Sequence, residues 1–128
     1  VEISDLIPRN KFDFERVYEL KKLDVKVLKP ILPYLFEWIQ DINWPIATEI
    51  AQILVECKEE GLPNIRLILK GDDYDWKYFC LTAVVKDLPK EIKKELTRDL
   101  ERLTFNPSKD DVLFEIDIEA GIILSEIE

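Results

Sequence analysis

Between Asn43 and Cys57 the chain is apolar on almost every side of a helix. Trp44, Ile46, Ala47, Ile50, Ala51, Ile53, Leu54, Val55 and Cys57 leave only a ribbon of Thr48, Glu49, Gln52 and Glu56. A helix apolar all round is packed all round, so this stretch is expected to be the central helix. Asn43 is placed to cap it, and Pro45 falls in the first turn, where its missing N–H costs nothing. With its ring buried between helices, Trp44→Ala would cost about 3–5 kcal/mol, whereas Glu49→Ala on the ribbon would change little.

The flanking pattern predicts shorter elements. Residues 1–12 read as an extended arm broken at Pro8-Arg9-Asn10, with Ile3, Leu6, Ile7 and Phe12 available to lie over a neighbour. Asp13 caps a helix through Phe14, Val17 and Tyr18 that ends near Leu23. Asp24 opens a segment whose apolar residues, Leu28 to Ile42, keep helical spacing. Pro30 and Pro33 kink its start, leaving a regular helix from about Pro33 to Gln40. Gly61 suits a left-handed cap after Cys57. Leu62-Pro63 then begins a helix that turns Ile65, Ile68 and Leu69 inward and stops at Gly71.

Asp72 and Asp73 cap the next helix, in which Trp76, Phe79, Cys80, Ala83 and Val84 form a stripe. Leu88-Pro89 starts the longest helix, with Ile92, Leu96, Leu100 and Leu103 inward, and Asn106-Pro107 ends it after Phe105. From Asp110 the apolar residues fit both an alternating strand and a helix. No other strand exists to pair with, so 110–127 is read as a helix with Leu113, Ile116, Ala120, Ile123, Leu124 and Ile127 on one side. Gly121 weakens it.

A repeat emerges from these elements. Leu-Pro recurs at Leu32-Pro33, Leu62-Pro63 and Leu88-Pro89, and Trp44…Ala51 is echoed by Trp76…Ala83. Two helices per period of roughly 30 residues mark an α-solenoid, whose units bury their faces by stacking. The expected fold is therefore all-α, a right-handed stack of antiparallel helix pairs of about six to seven helices, a HEAT-like α-solenoid fragment. One domain, 1–128, would comprise the arm, pairs at 13–42, 43–71 and 72–106, and a final helix at 110–127.

Particular residues strengthen this reading. Leu6-Ile7-Pro8, Lys11-Phe12-Asp13, Pro30-Ile31-Leu32-Pro33, Glu37-Trp38, Gln40-Asp41 and Asn43-Trp44-Pro45-Ile46-Ala47, with the later Asp72-Asp73 and Trp76-Lys77-Tyr78, resemble a bacterial domain-of-unknown-function family with HEAT-like helical repeats. The resemblance covers about the whole chain, and the Glu-Trp…Asp…Asn-Trp-Pro cluster is its most specific part. It implies an all-helical repeat fold. It brings no activity, substrate or catalytic residue.

Composition narrows the function. The 27 acidic and 18 basic residues give a net charge of −9, which repels phosphate backbones and anionic lipid and attracts cationic partners. Nucleic acid and membrane are therefore not expected partners. No apolar run reaches the ~18 residues of a membrane span, and the acidic start V-E-I-S-D-L-I-P does not read as a signal peptide, so a cytoplasmic protein is expected. Cys57 and Cys80 sit in apolar helical registers and read as buried free thiols.

The chemistry is sparse. There is no histidine, the commonest general base and transition-metal ligand. Gly61, Gly71 and Gly121 form no phosphate loop, and Ser4, Ser108 and Ser125 lie in no nucleophile motif. Zinc is not expected from two distant cysteines. On the long helix Lys90, Lys94, Arg98 and Arg102 run beside Glu91, Glu95 and Asp99, which reads as a solvated, ion-paired face. Asp72, Asp73 and Asp75 beside Trp76, Lys77 and Tyr78 read first as a helix cap complementing the dipole, and alternatively as a cation or acid–base site. Trp44 and Trp76 are expected in the core. Trp38, beside Glu37 and Asp41, is expected half-exposed and available for contact.

These observations point to a non-enzymatic protein-interaction module with no cofactor, catalytic residue or metal ligand. A specific form is an immunity- or antitoxin-like protein that neutralises a basic partner. The candidate contact residues are Trp38, Glu37, Asp41, Asp72, Asp73, Asp75, Lys77 and Tyr78. The alternative is a small hydrolase using Asp72, Asp73 and Asp75 with Lys77 and Tyr78.

Overall fold

Helix propensity and apolar spacing produce helix throughout, in pieces shorter than expected. The computed structural model describes residues 2–127, so Val1 of the arm and Glu128 lie outside the described residues. Among them are α1 (Phe14–Leu20), α2 (Val25–Leu28), α3 (Leu32–Glu37), α4 (Ala47–Glu56), α5 (Leu62–Lys70), α6 (Tyr74–Phe79), α7 (Lys90–Lys93), α8 (Thr97–Phe105), α9 (Lys109–Leu113) and α10 (Ile116–Ile127), with no strand. The helical reading of the tail thus holds. Pro33 and Pro63 occupy the first turn of α3 and α5, where no intrahelical N–H is needed, so two of the Leu-Pro pairs do open helices.

The Asn43–Cys57 stretch supplies the middle of the core, but its helix begins three residues later than an Asn43 cap would give. Asn43 does not cap it. Its N–H donates to Asp41 Oδ1 at 2.9 Å in a turn that carries Trp44, and Ile46 N–H donates to the Lys11 carbonyl at 3.2 Å. Asp41 and the arm capture these donors, so α4 starts only at Ala47. From there the pattern holds. Ala47, Ile50, Ala51, Ile53 and Leu54 are buried while Thr48, Gln52 and Glu56 are exposed. The helix packs on α1, α3 and the π-helical turn Cys80–Val84 that continues α6.

The left-handed residue after α4 is Lys58, φ 50°, and not Gly61. Gly61 serves close approach instead: a Cβ there would lie 3.3 Å from Cζ of Phe36, a fully buried ring. The expected stripe on α6 is also displaced. Lys77, Cys80, Leu81, Val84, Val85 and Leu88 are buried, whereas Trp76, Phe79 and Ala83 are only half-buried. Two apolar stripes overlap here, and the one headed by a lysine faces inward because that lysine finds a buried partner.

The long helix is broken at a 3₁₀ turn, Lys94–Leu96, between α7 and α8. Leu96, Leu100 and Leu103 are buried as expected, with Ile92 half-buried. Its bonded charges reach other helices: Lys93 pairs with Glu126 of α10 at 3.3 Å, and Asp99 and Arg102 bond to α5. Arg66 reaches Asp99 at 3.6 Å and donates to the Glu95 carbonyl at 2.9 Å, and Arg102 donates to the Leu69 carbonyl at 3.1 Å. The tail helix is interrupted at Glu115, φ 62°, and Leu113, expected inward, is 74% exposed. Phe12 is likewise exposed, while Ile3, Leu6 and Ile7 pack on the core.

The arm is anchored electrostatically. Buried Asp13 caps α1 through Arg16 N–H and also accepts from the Arg9 backbone N–H and Nε, each at 3.0 Å. The Arg9 guanidinium, offset in part by burial, holds this carboxyl down at about 2 from an ordinary 3.8. Because the folded value is the lower one, its contribution is complete above 3.8 and is lost as pH falls towards about 2. Asp13→Asn is therefore expected to flatten the fall in stability across that window, read from urea midpoints at stepped pH.

Candidate functional site

Two clefts open on the face made by α3, α5, the start of α6 and the Trp44 turn. The first, about 320 Å³, lies between Pro33, Phe36 and Glu37 of α3, Asn64, Leu67 and Ile68 of α5, and Gly71, Asp72, Asp73 and Trp76. The second, about 350 Å³, lies between Ile7 and Pro8 of the arm, Tyr34, Glu37, Trp38 and Gln40, and Trp44. Glu37 belongs to both, so they form one continuous face. Their sizes fall at the lower end of ligand pockets, and both are open to solvent.

Local sequence explains how the face is held. Asp73 caps α6 by accepting the Trp76 N–H at 3.1 Å, and the Trp76 Nε1–H donates to the Phe36 carbonyl at 2.9 Å. That bond satisfies the indole while leaving its ring half-buried at the first cleft. In the second, Trp38 and Trp44 meet edge to face, centroids 5.5 Å apart at 71°. Each indole shields the other, which is why Trp44 is half-buried rather than core. Trp76, also expected in the core, is likewise half-buried, and the cost of Trp44→Ala should fall below that of a fully enclosed ring.

The structure brings together only some of the expected contact residues. Glu37, Trp38, Asp72 and Asp73 share this face. Asp41 is half-buried in the adjoining turn, while exposed Asp75 and half-buried Tyr78 line neither cleft. Tyr78 stands edge-on to Phe79, with centroids 5.7 Å apart. Tyr34, 51% exposed, and Leu67, 73% exposed, complete the face and were not expected. Their solvent-side helical positions were the available signal, but a single exposed apolar residue is common.

Lys77 corrects the expectation most sharply. Its side chain is buried, its Nζ donates to Asp111 Oδ1 at 2.5 Å, and it lies 4.9 Å from the centre of the Tyr74 ring. Burial pushes the Asp111 carboxyl up, but the Lys77 ammonium and the Ser108 N–H more than offset this and leave it below its ordinary value. Asp111 and Ser108 also close a capping box on α9. Lys77 is thus committed to joining α6 to α9.

Both thiols are free and buried. Burial, then the charges of Glu56 and Glu60, raises Cys57 to about 11, and burial alone raises Cys80 further. Neither is a thiolate near neutral pH. A thiol-reactive dye at neutral pH should therefore label the folded protein slowly and the denatured protein fast. Rapid labelling of the native protein would contradict this environment.

The face thus sets Glu37, Asp72 and Asp73 beside Trp38, Trp44 and Trp76 on an all-helical scaffold. The chain belongs to the family described as Domain of unknown function (DUF5071), which it matches over residues 6–124. It is also 34% identical over 92 residues to Phosphopantetheine adenylyltransferase of Wigglesworthia glossinidia brevipalpis, a match taking in 72% of this chain. The chain spans 45% of that protein's length, and the activity in the name is that protein's. No helix among the described residues is long and apolar enough to cross a membrane.

Proposed function

We propose that this chain is a non-enzymatic protein-interaction module of bacterial cytoplasm that docks a partner on the Glu37 face. Its frame is read as a single-domain, right-handed stack of antiparallel helix pairs of HEAT-like type. Support comes from the packing, in which α4 meets α1, α3 and the Cys80–Val84 turn. The observation that carries the function is Glu37 itself, which joins two aromatic clefts into one surface. An immunity- or antitoxin-like role against a basic effector fits the net charge of −9. The hydrolase alternative is less favoured because Lys77 is committed to Asp111.

Co-expression with the products of adjacent genes, followed by size-exclusion chromatography, tests the reading. A complex formed by the wild type and lost in Glu37→Lys and Leu67→Ala supports it. A complex kept equally by both variants moves the docking surface elsewhere. Hydrolytic turnover abolished by Asp72→Asn or Asp73→Asn would establish the alternative.

A further inference from the structure

Resting on that docking face, we propose that its two clefts receive a cationic, arginine-bearing segment of the partner protein. The charge of the walls is one-sided. Glu37, Asp72 and Asp73 are among the lining residues, and no lysine or arginine is. Gly71 and Asp72 also border an adjoining cleft that carries Lys70, Lys77 and Arg102, so the one-signed lining is a property of these two clefts. The remaining walls are mostly apolar and include all three tryptophans, whose rings are set in place before any ligand arrives. Trp76 is tied to the Phe36 carbonyl, and Trp38 is braced against Trp44.

Carboxylates beside fixed indole faces select a particular cation. A guanidinium is planar and weakly hydrated, so it stacks on a ring while its edge N–H groups donate to a carboxylate in the same plane. An ammonium is compact and strongly hydrated, and loses more on entering such a cleft. Because Glu37 lines both clefts, successive arginines of one extended segment would enter on either side of it. The overall negative field adds attraction at long range, without setting which face is used.

The test uses the whole chain and a synthetic Arg-Gly repeat peptide, with citrulline-Gly and Lys-Gly counterparts. Citrulline keeps the plane and removes the charge. All three tryptophans belong to these clefts, so their emission reports occupancy directly. The expected result is saturable binding, weakened about fivefold or more by citrulline, weakened less by lysine, and weakened by added salt. Glu37→Gln and Trp38→Ala should each weaken it by a similar factor. Glu101→Gln, an exposed position on α8 outside both clefts, removes the same charge and should leave it unchanged. Glu37 is exposed, so its variant keeps the fold even if Trp38→Ala does not.

Equal loss in Glu37→Gln and Glu101→Gln would reduce the effect to net charge and overturn the inference, as would the absence of binding. Citrulline peptide that binds as well as arginine, and is lost in Trp38→Ala, would overturn the cationic occupant while leaving the docking face standing. Arginine peptide indifferent to both face variants would overturn the face as well.

Discussion

Lys77→Ala is expected to destabilise the protein by about 3–5 kcal/mol, because it leaves the buried Asp111 carboxylate without its counter-charge. The loss falls at a junction. Asp111 also accepts the Ser108 N–H at 3.0 Å, so the disturbed carboxylate is the one that caps α9 and ties it to α6. Lys77→Met combined with Asp111→Asn should recover at least about 1 kcal/mol of this, since the charge is gone and an acceptor for Ser108 remains. Urea unfolding of Lys77→Met, Asp111→Asn and their double variant measures the coupling. Additive losses would show that the pair does not act as a unit. The depressed Asp111 carboxyl makes the contribution present above its ordinary range and lost on acidification, so the coupling should shrink as pH falls.

Phe36→Ala is expected to cost about 3–5 kcal/mol by opening a cavity in the floor of the first cleft. The ring is fully buried against the backbone of Gly61, close enough that an added Cβ would sit at 3.3 Å. Gly61→Ala should therefore be tolerated better in the Phe36→Ala background than in the wild type, where the ring must give way. Leu67→Ala on the rim of the same cleft makes the contrast. It is exposed and should change stability by less than about 0.5 kcal/mol. Equal costs for Phe36→Ala and Leu67→Ala would mean that the cleft is not built on this floor.

Much of the molecule could be read from residue order. Helical spacing identified the all-helical class, the inward side of Ala47–Glu56, the caps Asp13 and Asp73, and the first-turn prolines of α3 and α5. These depend on neighbours within one or two turns, which lie within one or two turns along the sequence. Of the site, Glu37, Trp38, Asp72 and Asp73 were legible as candidates. That they share a surface was not, because residues 37 and 72 are distant in sequence and meet only when α3 and the start of α6 pack on α5.

The same separation explains the failures. Lys77 counts as polar in any pattern, and only Asp111, 34 residues further on, makes its burial tolerable. Asn43 is a good cap in isolation, yet Asp41 and the carbonyl of Lys11 claim the donors around it. Periodicity reports whether a side can be buried. Which of two overlapping stripes is buried, and which aromatic rings stay half-buried, was decided by groups brought into contact through folding.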